Sequence, residues 1–154
     1  MNSRIVLFVI ALGSIALLAL ALYLQLYQDM QPCPMCILQR YAFIGVAIFC
    51  LLGAAGNAPK IGGGAGLISS LSGIGIASYH LWVKAHPGAS CGIDPLETSL
   101  NRIATATLWP DMFRADGMCS TDYAPILGLS IPQWSLAAFV IITLLLLSVV
   151  FRRR

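Results

Sequence analysis

Charge is scarce in this chain of 154 residues. Asp, Glu, Lys and Arg make up 10% of it, where a soluble domain carries about a quarter. Apolar residues reach 58% and mean hydropathy is +0.85. A soluble globule of this size needs far more polar surface, so that class is excluded first. Disorder is excluded by the same figures, because disordered chains are polar and charged. Also missing are a complete G-x-G-x-x-G nucleotide fingerprint and a C-x-x-C-H haem-attachment motif, since Ile37 follows Cys36.

The charges that exist are confined. Ile5–Gln28, Tyr41–Pro59, Ile61–Val83 and Tyr123–Phe151 contain no Asp, Glu, Lys or Arg. A spanning helix needs about 20 apolar residues. Ile5–Leu24 and Ile131–Phe151 meet that outright, and Ile61–Val83 is glycine-rich but long enough. Tyr41–Gly56 is short, so its helix is expected to begin near Cys36 and to carry Arg40 in its first turns. The expectation is an all-α membrane protein of one domain. Its four spans lie at about 5–25, 36–56, 61–83 and 131–151, with a long external loop at 86–130.

Four spans place both termini on one side. That side holds Arg4, Lys60 and Arg152–Arg154, with no acid, whereas all six acids share the other side with Arg40, Lys84, Arg102 and Arg114. The positive-inside rule assigns the termini to the cytoplasm. The basic tail is thus a topology signal, and no nucleic-acid partner is expected. Arg4, an apolar run and Ala19-Leu20-Ala21 resemble a cleavable signal. The run continues through Leu22-Tyr23-Leu24 without a breaker, so an uncleaved anchor is expected.

Of five cysteines, Cys33, Cys36, Cys91 and Cys119 fall on the external side and Cys50 falls mid-span. Four cysteines in an oxidising compartment suggest two disulfides, with three possible pairings. A two-residue gap makes Cys33–Cys36 the natural local pair, leaving Cys91 with Cys119. Within the long loop, Leu96, Leu100, Ile103 and Leu108 recur at near-helical spacing, followed by Trp109. A short amphipathic helix is expected there, lying on the membrane or packed on the span ends.

Cys33-Pro34-Met35-Cys36 concentrates the chemistry. Pro34 suits a first helical turn, which puts Cys36 where unpaired N–H groups favour a thiolate. Arg40 follows one turn later on the same face, and an arginine at that depth is costly without a purpose. Three readings of C-x-x-C stand: redox pair, static disulfide and metal site. Zinc sites usually bring a second close pair, and His80 and His86 have no finger spacing, so no metal is expected. A two-residue loop gains little from a static bond. The redox reading fits the positive surroundings, and with no water-soluble cofactor motif the economical acceptor is a lipid-soluble quinone. Arg40 could donate to a quinone oxygen as charge develops.

Cys33-Pro34-Met35-Cys36-Ile37-Leu38-Gln39-Arg40, with Leu127-Gly128-Leu129-Ser130-Ile131-Pro132-Gln133-Trp134 entering span four, resembles the disulfide bond formation protein B (DsbB) family of bacterial inner membranes. The resemblance implies a thiol:quinone oxidoreductase that reoxidises DsbA, a periplasmic thioredoxin-like dithiol oxidase. It implies that Cys91 is attacked by the reduced carrier and that Cys119 is its partner. Electrons would pass on to Cys33–Cys36, and Cys36 would contact ubiquinone (or menaquinone) beside Arg40. A quinone-binding histidine near the outer end of span three is also implied, and His80 stands there. Cys50 lies outside the family's four-cysteine pattern, so packing is its expected role.

Two alternatives remain. One is a non-catalytic membrane subunit with two structural disulfides. The other is a vitamin K epoxide reductase-like thiol:quinone enzyme, disfavoured because its C-x-x-C sits late in the chain. Gly62-x-x-x-Gly66 is expected to be a helix-contact face, and Ser130-Ile131-Pro132-Gln133 a capping box with proline in the first turn. Trp82, Trp109 and Trp134 fit an aromatic belt, and His86 is expected to be solvated. Gln25 marks an interface or lines the acceptor site.

Overall fold

The computed structural model describes residues 2–86, 95–119, 121 and 123–152. Four helices are long and apolar enough to cross a membrane: α1 Ser3–Gln28, α2 Pro34–Ala55, α3 Pro59–Ala85 and α7 Ile131–Val150. Among the described residues three short helices lie between the last two: α4 Pro95–Asn101, α5 Ala104–Leu108 and α6 Pro110–Phe113. Among the described residues there is no strand, only an isolated bridge between Ile126 and Leu129. The architecture is an all-α four-helix membrane bundle.

Local chemistry sets the span boundaries. Asn2 caps α1 by accepting the Arg4 N–H, and Asp29 ends it in the left-handed region. Prolines open α2, α3 and α7 within their first turns, where a missing N–H costs nothing. Ser130 donates its backbone N–H to Gln133 Oε1 at 2.7 Å, the return half of the expected capping box. Trp134 fixes the preceding turn by donating Nε1–H to the Ile126 carbonyl at 2.9 Å.

The spans pack in sequence order, α1 on α2, α2 on α3 and α3 on α7. The buried core runs through Leu7, Ile10, Phe43, Val46, Cys50, Phe139 and Leu146. Phe43 and Phe139 stack at 4.0 Å between ring centroids. In lipid there is little hydrophobic gain from joining helices, so small residues and polar contacts take over. Gly62 shows this directly. A Cβ there would sit 2.4 Å from Gly53 Cα and 2.6 Å from the Phe49 carbonyl oxygen, so backbone meets backbone. A Cβ on Gly66 would meet Cys50 Sγ at 3.1 Å, which gives the fully buried Cys50 its packing partner. Ser70 on α3 adds polar contact by donating to the Phe139 carbonyl of α7 at 3.0 Å. Arg4 Nε donates to the Ala54 carbonyl at 2.8 Å, joining the start of α1 to the end of α2, far from the cysteine motif.

The helical stripe at 96–108 is present but divided. Leu96 and Leu100 on α4 pack with Ile37, Leu38, Tyr41 and Ala115, whereas Leu108 and Trp109 point outward, 84% and 56% exposed. The chain turns between Asn101 and Ala104 and again at Trp109–Pro110. One part therefore packs on the span ends while the other presents apolar surface. The break falls at Arg102–Ile103, so the stripe is split between α4 and α5, and Pro110 marks only where the second half ends.

Candidate functional site

The candidate site lies where α2 begins. Cys33 is the N-cap residue of α2 and Cys36 lies in its first turn. The C-x-x-C spacing across a helix start brings the sulfurs together: Cys33 Sγ donates to Cys36 Sγ at 3.2 Å. Both are free thiols, so the sequence-expected local pair is within reach of bonding yet unbonded here. Cys33 is buried, whereas Cys36 is half-buried. The Cys33 thiol is pushed well above its ordinary pKa, first by its hydrogen bond to the Cys36 sulfur and then by burial. Cys36 therefore carries the readier sulfur, and Arg40 and Lys84 add positive potential there.

His80 comes from α3, and its Nε2 lies 3.7 Å from Cys33 Sγ. Its Nδ1 faces Gln39 Nε2 at 3.3 Å. Both side chains are buried, so the pair satisfies polar groups that would otherwise be stranded in an apolar bundle. The Cys119 backbone also reaches the His80 ring. Cys119 packs in one buried cluster with Cys33, Met35 and Val83, and it is disulfide-bonded. Cys91 lies outside the described residues.

Arg40 is buried one turn below Cys36. Its Nη1 donates to the carbonyls of Asp111 at 3.2 Å and Met112 at 2.9 Å, and its Nη2 donates to Gln25 Oε1 at 2.8 Å. All three acceptors are neutral, so these contacts among the described residues hold the guanidinium without cancelling its charge. It is thus a tie between α1, α2 and α6 as well as a source of positive field.

The outer loop is fastened beside the thiols. Asp116 and Gly117 both donate backbone N–H groups to the Pro32 carbonyl, at 3.1 and 3.0 Å. Asn101 brackets Ala115, donating to its carbonyl and accepting its N–H, each at 2.9 Å. These bonds deliver Cys119 to Cys33. His86 is exposed, stacked on Trp82, and takes no part.

Of the residues singled out from sequence, Cys33, Cys36, His80 and Cys119 come together, and Arg40 stands one turn away. Gln39 was not anticipated, although a polar residue three places after Cys36 in an apolar run was a usable signal. The Asp111 and Met112 carbonyls carry no sequence signal at all, because any residue supplies one.

Four apolar helices with a dithiol and a bonded cysteine gathered at one end define a multi-pass membrane protein of the thiol–disulfide class. The family model described as "Disulfide bond formation protein DsbB" matches residues 3–149, and the chain belongs to that family. It is 54% identical over 155 residues to "Disulfide bond formation protein B" of Herminiimonas arsenicoxydans, covering 99% of this chain and 98% of the relative. It is 48% identical over 153 residues to the protein of the same name from Cupriavidus necator, covering 99% and 95%. By class it is a disulfide-generating oxidoreductase.

Proposed function

We propose that this chain reoxidises a periplasmic thioredoxin-like dithiol oxidase of the DsbA type and passes the electron pair through two cysteine pairs to membrane quinone, ubiquinone or menaquinone. The orientation that goes with this has both termini in the cytoplasm and the cysteines facing the periplasm of a bacterial inner membrane. It is supported by the basic residues that gather at the opposite end of the bundle.

The observation that carries the reading is the shared cluster of Cys33 and Cys119. Electron transfer between dithiols is thiolate attack on a disulfide sulfur, so the second pair must lie beside the first. In the proposed sequence, a thiolate of the reduced carrier attacks Cys91 of a Cys91–Cys119 disulfide. A carrier–Cys91 bond forms and Cys119 leaves as thiolate. The carrier's second thiolate then displaces Cys91, which releases oxidised carrier and leaves Cys91 and Cys119 reduced. Exchange with a Cys33–Cys36 disulfide restores the outer bond and leaves Cys33 and Cys36 as thiols. Free Cys33 and Cys36 beside a bonded Cys119 match that last stage.

The donor set suits a quinone. Cys36 is the less buried residue of the pair, and Arg40 is a buried cation whose hydrogen-bond partners among the described residues are neutral, a fixed charge suited to developing negative charge. Cys36, Arg40 and His80 would hold the quinone, which supplies a two-electron oxidant taking the pair and two protons as the Cys33–Cys36 bond forms. Arg40 holds its charge one turn below Cys36, and the His80–Gln39 pair offers a proton carrier beside Cys33.

The test follows quinone absorbance as reduced carrier is added to the quinone-replete protein. Stoichiometric loss of quinone is expected. A folded, quinone-replete protein that leaves the absorbance unchanged would reject the reading.

A further inference from the structure

We propose that Cys33, Cys36 and His80, with both thiols reduced, form a binding site for a thiophilic d10 cation such as Zn2+. The spacing of the sequence hides this site, because its third ligand arrives from α3. In the fold, one ligand atom from each residue lies within 4.8 Å of the others. Such binding needs only the reduced thiols and His80, whichever acceptor oxidises the pair.

The geometry is close to what the ion requires. Zinc bonds of about 2.3 Å to sulfur and about 2.0–2.1 Å to nitrogen in a tetrahedron set S···S near ~3.8 Å and S···N near ~3.6 Å. The sulfurs stand 3.2 Å apart, and Cys33 Sγ to His80 Nε2 is 3.7 Å. The histidine is in register, and the thiols need to part by roughly half an ångström. Rotation of half-buried Cys36 supplies that. Two cysteines separated by two residues, at a helix start, are a common half of a zinc site.

The surrounding contacts also suit a metal. Gln39 grips Nδ1 of His80, the outer contact that orients a ligating imidazole and fixes its tautomer. With the amide turned so that its oxygen accepts Nδ1–H, the Nε2 lone pair faces the sulfurs. Binding balances as one Zn2+ taken up and two thiol protons released, with no change of oxidation state. Two thiolates neutralise the ion, which makes its burial less costly than that of a bare cation. The fourth position is left to water. A Cys33–Cys36 disulfide offers no thiolate, so only the reduced state binds. While bound, the ion keeps the pair from forming its disulfide, which makes it a redox-state-selective inhibitor.

The test uses the full chain in detergent, free of quinone, carrying Cys50→Ala, Cys91→Ser and Cys119→Ser so that one pair remains. Co2+ is the optical probe. The reduced protein should take up one Co2+ per chain with a thiolate-to-cobalt absorption band, displaced by equimolar Zn2+. The oxidised protein should show none. His80→Ala should weaken binding at least about tenfold, and Gln39→Leu about tenfold. Absence of the band, or equal affinity in His80→Ala, overturns the proposal. Should the multiple variant fail to fold, the unsubstituted reduced chain is labelled with a maleimide and mapped by peptide. Zn2+ should protect Cys33 and Cys36, and unchanged labelling of both would overturn the site.

Discussion

Arg40 Nη2 donates to Gln25 Oε1 at 2.8 Å, so the cation below Cys36 is held from the neighbouring span by a neutral amide. An acid in that place would cancel the field that an amide leaves intact. Gln25→Leu strands a buried guanidinium donor, which costs about 1–3 kcal/mol. A lower midpoint of thermal unfolding in detergent is expected, and an unchanged midpoint would show that the bond contributes nothing. Arg40→Ala should slow quinone reduction more than it slows exchange with the carrier. Equal slowing would remove Arg40 from the acceptor end of the pathway.

The two free cysteines of α2 have opposite fates. Cys36→Ser should abolish carrier oxidation while the fold persists. Cys50→Ala should leave turnover unchanged and cost about 1 kcal/mol through the small cavity against Gly66. Turnover assays and thermal melts on both variants separate the roles. Loss of turnover in Cys50→Ala would show that the fifth cysteine is more than packing.

Cys33 and Cys36 should also differ in reactivity. Cys33 is buried and its thiol is held protonated by its bond to Cys36. Limiting iodoacetamide at neutral pH should therefore alkylate Cys36 first, as read by mass spectrometry of the peptide that contains both. Preferential labelling of Cys33 would reverse the assignment of the nucleophile.

Gly62→Ala should be among the most damaging conservative changes in the chain. Its Cβ would lie 2.4 Å from the Gly53 Cα, and neither backbone can yield without parting α2 from α3. Overpacking of this kind costs about 1–3 kcal/mol. Gly64→Ala, two residues on with nothing within 4 Å, is the control. It should be neutral or slightly stabilising, since alanine is the better helix former. Equal melting of the two variants would refute the close approach.

Asn101 holds Ala115 through both of its backbone groups. Asn101→Ala removes these partners from the N–H and the C=O of Ala115, at about 1–3 kcal/mol. Transfer from the outer pair to Cys33–Cys36 should slow, while quinone reduction by pre-reduced Cys33–Cys36 should not. Stopped-flow measurement of the two steps tests this, and parallel slowing would place the effect elsewhere.

The spans were legible because membrane burial imposes long charge-free runs, and prolines and Ser130 marked their starts. The Gly62–Gly66 face was legible for a similar reason, since only small residues allow such contact. At the site, C-x-x-C with Arg40 one turn on is a local pattern and could be read directly. His80 beside Cys33, and Gln39 behind His80, depend on how α3 lies against α2, which no spacing encodes. The division of the 96–108 stripe at Arg102–Ile103 carried no such marker, and Pro110 showed only where its second half ends. What Arg40 grips was invisible, because main-chain oxygens look alike at every position.

That last feature constrains how the protein can drift over evolutionary time. Since the guanidinium clasps the peptide oxygen of Asp111 and not its carboxylate, the side chain at this position is open to exchange. The path of the chain through it is not. Insertions or deletions between Trp109 and Phe113 should be purged where substitutions at Asp111 are tolerated.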